Sequence, residues 1–330
     1  MPTISVIVPA YNAVDTILKT IESVQKQTFG DFELIVINDG STDKTLELLS
    51  TVKDSRLHIF SYSNGGLPTA RNRGISHSTG EFITFLDADD LWTPDKLELQ
   101  LAALQQHPDA GVAYSWTHFM DEQGESFHAG KPVFFEGNVY ATLLTGNFID
   151  SGSNPLIRRQ AIESVGEFDP TLGSCEDWEY WLRIAARWSF VVVPKPQIFY
   201  RQTSGAMSSK IEVMEKYNLI VIERAFEAAP PELQFLKNQS LANLYQFLAH
   251  LCLTRIPNAA GAKQAAQKLQ SAIRLHPWTL VDKKTHILVI KLILIRILSP
   301  KIASHLLQLI SKIRATHIRN ANDDKALLSS

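Results

Sequence analysis

The sequence predicts an α/β protein with a mainly parallel central sheet and a helical extension behind it. Three observations predict this. Through the first third of the chain, short β-rich runs alternate with segments of helical periodicity, the pattern of parallel strands joined by right-handed crossovers. The first runs are near-continuously apolar, as in strands covered on both faces. Beyond roughly Gly205 the strand signals stop and helical periodicity continues alone.

Ile4–Pro9 reads as the first strand, followed by a helix over Asp15–Gln27 with Ile17, Ile21 and Val24 at helical spacing. Phe32–Asn38 is the second strand. A second helix over Asp43–Lys53 opens at Ser41-Thr42-Asp43, good capping residues. Leu57–Ser61 is a strand, Pro68–Ser76 a helix and Phe82–Leu86 a fourth strand. Thr93 as N-cap and Pro94 at the first helical position open the next helix. From about Val112 the strands shorten. Glu176–Arg187 is a helix with Trp178, Trp181, Leu182 and Ala185 on one face, and Phe190–Val193 and Ile198–Arg201 are strands. Glu212–Ile313 reads as helices broken near Pro230-Pro231, Pro257, Pro277 and Pro300. The domains expected are residues 1–209, divided into two halves at 115/116, and a helical region, 210–330.

The bulk numbers exclude several classes. A chain of 330 residues with 45% hydrophobic and 20% charged residues is an ordinary globular composition. A formal net charge of −2 gives no electrostatic case for nucleic acid. Cys175 and Cys252 lie far apart and form no disulfide or zinc framework, so a reducing, cytoplasmic setting is expected. Residues 1–10 carry no charged n-region and no cleavage site, and read as a strand rather than a signal peptide. The first strand runs into Pro9-Ala10-Tyr11-Asn12, not the glycine fingerprint of a dinucleotide site, which excludes an NAD-dependent dehydrogenase.

On parallel sheets, ligands bind beyond the carboxyl ends of the strands. Polar segments sit at four such ends: Ala10-Tyr11-Asn12, Asp39-Gly40-Ser41, Asn64-Gly65-Gly66 and Asp87–Asp90. The last is the most informative. Ionised carboxylates repel one another and are costly to bury, so three of them where a buried strand meets solvent point to a cation such as Mg²⁺ or Mn²⁺. A polar turn capping the next helix is the alternative.

Six segments, in order, resemble the family-two glycosyltransferases. They are Val6-Ile7-Val8-Pro9-Ala10-Tyr11-Asn12; Glu33-Leu34-Ile35-Val36-Ile37-Asn38-Asp39-Gly40-Ser41-Thr42-Asp43; Ala70-Arg71-Asn72-Arg73-Gly74; Gly80-Glu81-Phe82-Ile83-Thr84-Phe85-Leu86-Asp87-Ala88-Asp89-Asp90; Val165-Gly166-Glu167-Phe168-Asp169; and Glu176-Asp177-Trp178. The resemblance spans about residues 3–209. It implies the GT-A fold and, for most members, an inverting enzyme using a nucleotide-sugar. By resemblance, Pro9, Ala10, Tyr11 and Asn12 belong to the nucleotide site, with the Tyr11 ring against the base. Asp39 accepts from a uracil N–H, unless it only shapes the turn before Gly40. Asn38 stands where relatives often carry a second carboxylate. Arg71 and Asn72 lie near sugar and phosphates, the alternative being a solvated helix face. Asp87 contacts ribose or sugar, Ala88 belongs with it to the nucleotide site, Asp89 ligates Mn²⁺ or Mg²⁺, and Asp90 supports the metal's surroundings.

The same resemblance makes Asp177 the base that deprotonates the acceptor hydroxyl, with Glu176 beside it. Both acids could instead merely complement the helix dipole, which would lower their pKa and make Asp177 a weak base until a bound acceptor desolvates it. Relatives often carry a His near Thr203, in a segment with Arg201, Ser204 and Ser208. Asn147–Asn154 is expected on the acceptor side.

Ile287–Leu298 is interrupted by Lys291 and Arg296, and is too short for a membrane span of about 20 apolar residues. Residues 282–319 hold eight Lys or Arg against the single acid Asp282. Two readings stand: peripheral contact with an anionic membrane at its cytoplasmic face, or packing on the catalytic domain or a second subunit. The function expected is a metal-dependent, inverting transfer from a UDP-sugar to a glycan or lipid-linked acceptor of the cell surface. The alternative is a non-catalytic nucleotide-sugar-binding module of the same fold.

Overall fold

The computed structural model describes residues 1–125, 127–203 and 210–297. Ser204, Ser208 and everything beyond Ile297, including Pro300, Lys301, His305, Lys312, Arg314 and Arg319, lie outside the described residues. The chain forms two compact units, Met1–Ser204 with Glu223–Ala228, and Gly205–Ile222 with Ala229–Ser330.

The first unit is an α/β layered structure. In chain order its elements are β1 (Ile4–Ala10), α1 (Ile17–Gln25), β2 (Phe32–Asp39), α2 (Thr45–Ser50), β3 (Leu57–Tyr62), α3 (Leu67–His77), β4 (Phe82–Phe85), β5 (Leu91–Trp92) and α4 (Lys96–Gln106). Then follow β6 (Ala110–Met120), β7 (Phe127–Ala129), α5 (Tyr140–Thr145), β8 (Leu156–Arg158), α6 (Arg159–Val165), α7 (Glu176–Ala185) and β9 (Ser189–Arg201). Among the described residues the strands form one nine-stranded sheet in the order β3-β2-β1-β4-β8-β6-β9-β5, with β7 on β6. The long ladders β1/β2, β2/β3 and β6/β9 are parallel, as is β1/β4; the short ladders of β8, β7 and β5 are antiparallel. All seven residues of β1 are buried. Its central position between β2 and β4 explains a run with no polar alternation.

Several boundaries differ from expectation. α1 starts at Ile17 rather than Asp15, because residues 14–16 make a turn. α2 is shorter than Asp43–Lys53: Asp43 lies outside the helix, and its Oδ1 accepts from Thr45 N at 2.9 Å. α4 starts at Lys96 with Asp95 as the preceding residue, not at Pro94 after Thr93; the Thr93 hydroxyl donates to Asp95 Oδ1 at 2.6 Å. The two strands predicted near the end of the unit are one, β9. The ladder shifts register at Trp116, opposite Pro196, so Pro194 and Lys195 are carried in an irregularity instead of ending the strand. The division at 115/116 falls inside β6.

Among the described residues the second unit is helical: α9 (Lys237–Arg255), α10 (Ala259–Leu275) and α11 (Lys283–Ile297), with α8 (Ile211–Ala228) divided between the two units' segments. Asn258 caps α10, its side chain accepting from the backbone N–H groups of Ala260 and Gly261. A core of Ala249, Cys252, Leu253, Ala262, Ala265, Leu269, Leu288, Leu292 and Ile295 joins α9, α10 and α11. Among the described residues no helix is long and apolar enough to cross a membrane.

Candidate active site

The four polar segments at the sheet's carboxyl edge are tied to one another. Asn12, with φ of 48°, turns the chain out of β1, and its Oδ1 accepts from Thr42 N at 2.8 Å. Ala13 N donates to Thr45 Oγ1, so the first loop is fixed to the second. The second is fixed to the third through Asp39, whose carboxylate accepts from Gly65 N at 2.9 Å and Gly66 N at 2.8 Å. Gly40 permits this approach: its φ is +75°, and a Cβ there would lie 2.7 Å from the backbone nitrogen of Asn64. The Thr16 and Thr20 hydroxyls donate to the Ala88 carbonyl at 2.8 and 2.9 Å, bringing α1 to the fourth loop.

Within this frame the expected nucleotide residues separate. Tyr11 is 53% exposed, its ring available to a base. Pro9 and Ala10 are buried at the end of β1, paired with Ile37 and Asn38, and offer no exposed side chain. Asp39 is buried and also pairs with Arg73 Nη1 at 2.7 Å, so its oxygens hold the third loop together. Asn38 closes the turn, accepting from Ser41 N and donating to Ser61 Oγ. The Asn72 amide is held by the backbone of Phe168, donating to its carbonyl and accepting from its N–H, each at 2.8 Å. Asn72 is therefore a clasp between α3 and the segment before α7.

Arg71 is not on a solvated face. It is 1% exposed and bridges two carboxylates, Asp87 at 2.8 Å and Glu176 at 2.7 Å. Gly152 makes room for it, since a Cβ at 152 would lie 2.4 Å from Nη2. The one guanidinium thus joins the loop after β4 to the first turn of α7, across a sequence separation of 105 between Arg71 and Glu176.

The fourth loop carries three carboxylates in different states. Asp87 is partly exposed and leans on Arg71. Asp90 is buried and accepts from Ser153 Oγ at 2.6 Å and Arg201 N at 2.9 Å; burial and its two acidic neighbours push its pKa far up. The Asp89 carboxyl is pushed up to about 6, first by burial and then by the Asp87 charge. Arg201 does not neutralise this loop by contact: its Nε donates to the Asp89 carbonyl and its Nη1 to the Glu122 carbonyl. Among the described residues no group of three or more His, Cys, Asp or Glu side chains is arranged to hold a metal. The donor set still fits a hard divalent cation, which is held by one or two carboxylates with the rest of its shell from substrate phosphates and water. Asp89 would be the ligand, with Asp87 beside it.

α7 is anchored rigidly. Trp178 Nε1 donates to the Leu143 carbonyl at 2.9 Å, Tyr180 stacks on Phe168 with ring centroids 3.8 Å apart, and Trp181 is fully buried. Cys175, with φ of 61°, turns the chain sharply into the helix. Asp177 has a 3.4 Å side-chain contact from Asn147 Nδ2, and backbone N–H groups of its own turn, that of Trp178 first, also bond its carboxylate. Burial pushes both Glu176 and Asp177 above the usual carboxylate range, against the pull of Arg71. The weakening expected from the helix dipole is therefore outweighed in the protein itself, without an acceptor.

Sequence reasoning missed the serines. Ser151, Ser153 and Asn154 are buried, holding Asp90, the Asp87 N–H and β6, so this part of Asn147–Asn154 is scaffold; Asn147 and Phe148 are only partly buried and Asp150 is exposed. Lys96 was missed as well: fully buried, it donates to Thr84 Oγ1 at 2.8 Å and lies over Trp92, and burial depresses its pKa strongly. Only its place in the apolar stripe Lys96-Leu97-Gln100-Leu101-Leu104, all buried, could have signalled it.

Residues 5–251 match the family model described as glycosyltransferase like family 2. An uncharacterized glycosyltransferase of Rickettsia bellii is 36% identical over 187 residues, 56% of this chain and 26% of the relative. The putative teichuronic acid biosynthesis glycosyltransferase TuaG of Bacillus subtilis is 38% identical over 152 residues, 43% of this chain and 59% of the relative. The chain's matches thus cover well under two thirds of these proteins. Two solved structures share the fold. S. aureus TarS 1–349 in complex with UDP-GlcNAc has a TM-score of 0.54 at 19% identity, covering 84% of this chain and 92% of that one. Mannosyltransferase PcManGT from Pyrobaculum calidifontis, in complex with GDP-Man and Mn²⁺, has a TM-score of 0.57 at 19% identity, covering 88% and 87%.

Proposed function

The chain belongs to the glycosyltransferase family 2-like proteins, and on that premise we propose that it is an enzyme of the cytoplasm that moves a sugar from a nucleotide-sugar to a hydroxyl acceptor with inversion. The observation that carries this is the Arg71 bridge, which brings an acidic loop suited to a diphosphate-bound cation and a rigid, underprotected carboxylate into one site.

In this reading Tyr11 lies against the nucleotide base. Arg71 holds Asp87 and Glu176 in place. Asp177 accepts the proton of the acceptor hydroxyl as that oxygen attacks the anomeric carbon from the face opposite the leaving diphosphate. Its raised pKa suits a base better than an ordinary surface aspartate. A divalent cation bound at Asp89 would offset the charge of the leaving diphosphate. UDP is the preferred nucleotide; TarS, with UDP-GlcNAc, supports it, whereas PcManGT holds GDP-Man. The acceptor is a glycan or a lipid-linked sugar; the likeness to TuaG, named for teichuronic acid biosynthesis, supports the glycan.

Thermal stabilisation by UDP and GDP, with and without Mn²⁺, tests this in the native chain and in Asp89→Asn. Stabilisation by UDP that needs Mn²⁺ and disappears in Asp89→Asn is the expected result. Stabilisation by neither nucleotide would remove the reading; a preference for GDP would replace the base.

A further inference from the structure

α11 is apolar almost all round. Its inner side, Leu288, Leu292 and Ile295, is buried against α9 and α10. Its outer side should then be polar, as on any helix at the surface of a globular unit. Instead Val289, Ile290 and Ile293 are 39%, 55% and 45% exposed. At 3.6 residues per turn they fall on one stripe with His286. The stripe continues beyond the helix. Its 3₁₀ approach, Pro277–Val281, exposes Trp278 at 73%, Leu280 at 53% and Val281 at 67%, and the Leu280 carbonyl is bonded to His286 Nε2 at 2.8 Å. Trp278 and two aliphatic chains thus adjoin the stripe at the helix's amino end. Lys283 and Lys284 are exposed at that same end. Over residues 277–295 the only acid is Asp282, against Lys283, Lys284 and Lys291. Asp282 is engaged inward, accepting from Gln246 Nε2 and from Lys284 N.

We infer that the face formed by Trp278, Leu280, Val281, Val289, Ile290 and Ile293 seats the second unit on an anionic lipid surface. A ring nitrogen and two ammonium groups beside an aliphatic stripe match the interface of a bilayer, where apolar groups enter the acyl boundary, indole sits at headgroup depth and lysines meet anionic headgroups. A second copy fits this face less well. A two-fold contact repeats the same patch on both sides, and this patch carries Lys283 and Lys284 beside Asp282, which is engaged inward, so two net-positive surfaces would be brought together. The inner side of α11 packs within the second unit, on α9 and α10, and on this inference the outer side is the docking surface. The inference goes beyond sugar transfer and does not rest on it.

The test uses the full chain with vesicles of phosphatidylcholine alone and of phosphatidylcholine with phosphatidylglycerol. Flotation with the anionic vesicles only, reversed by high salt, is expected. Charge reversal at both Lys283 and Lys284 should weaken partitioning on the order of ten-fold or more, since each lysine near an anionic surface contributes about a five-fold factor. Ile290→Glu with Ile293→Glu should abolish it; both positions are exposed, so folding is spared. Quenching by brominated lipid should be present in the native chain and reduced in Trp278→Phe. Absence of flotation, or equal flotation with both vesicles, overturns the inference. If light scattering then shows a dimer that Ile290→Glu dissociates, the face belongs to a second copy.

Discussion

The loop after β4 and the first turn of α7 both crowd acidic groups into the same site, yet they are balanced differently. At Asp87-Ala88-Asp89-Asp90 the Arg71 guanidinium reaches Asp87, the Ser153 hydroxyl and the Arg201 amide hold Asp90, and the Arg201 guanidinium goes to carbonyls. Negative charge is left in excess there. At Glu176-Asp177 the Arg71 guanidinium pairs directly with Glu176, while Asp177 has backbone N–H groups and a 3.4 Å contact from Asn147. The difference teaches that equal residue types can hold opposite posts. The first cluster sets three carboxylates against one direct guanidinium contact, at Asp87, whereas the second sets two against one, at Glu176. Arg71 belongs to both, through Asp87 and Glu176.

The largest effect expected from this contrast is at Asp177. Asp177→Asn keeps shape and hydrogen bonding but removes the base. Transfer should fall by about 10²–10⁴, the usual contribution of a positioned base, while the UDP dissociation constant stays the same. Steady-state kcat beside calorimetric UDP binding makes the comparison. Near-native turnover would mean that the second cluster has no free base, and would erase the distinction between the two.

Next comes the bridge. Arg71→Met leaves Glu176 and Asp87 facing one another without their cation. Removing one partner of a buried pair costs about 3–5 kcal/mol, which chemical denaturation would read directly. Adding Glu176→Gln to Arg71→Met should recover part of the loss, because the uncompensated charge goes with it. A simple sum of the two single losses would show that Arg71 and Glu176 are not coupled as drawn.

Much of the first unit was legible in the sequence because its signals are local. β1 to β4 announce themselves as apolar runs, and the polar loops lie at predictable strand ends. The rest is set by partners distant in sequence. Nothing near Arg71 shows that Glu176 will arrive beside it, and nothing near Asn72 shows that Phe168 will take its amide. Without those partners, a buried bridging arginine reads like any polar helix position. Phe190–Val193 and Ile198–Arg201 read as two strands because a bulge opposite Trp116 cannot be seen from one strand alone. Asp39 shows the same limit: the expected turn-shaping and base-binding roles use the same oxygens, and only the fold shows Gly65, Gly66 and Arg73 already upon them.

The smallest expected effect is a displacement of pH dependence. Burial raises the folded pKa of Asp177 above its unfolded value, with the Arg71 charge pulling the other way and Asp87 adding to the rise. A base acts when ionised, so kcat should climb with pH through that raised value and fall away below it, above the range where a surface aspartate would titrate. Glu176 and Asp177 repel one another as anions. Glu176→Gln removes that repulsion and also leaves more of the Arg71 field for Asp177; both changes favour the ionised form. The acid limb should therefore move to lower pH while kcat on the plateau changes much less than in Asp177→Asn. Profiles of kcat against pH for the native chain and Glu176→Gln, run with saturating donor, decide the matter. A limb that stays in place while the plateau collapses would make Glu176 itself the base, and Asp177 its neighbour.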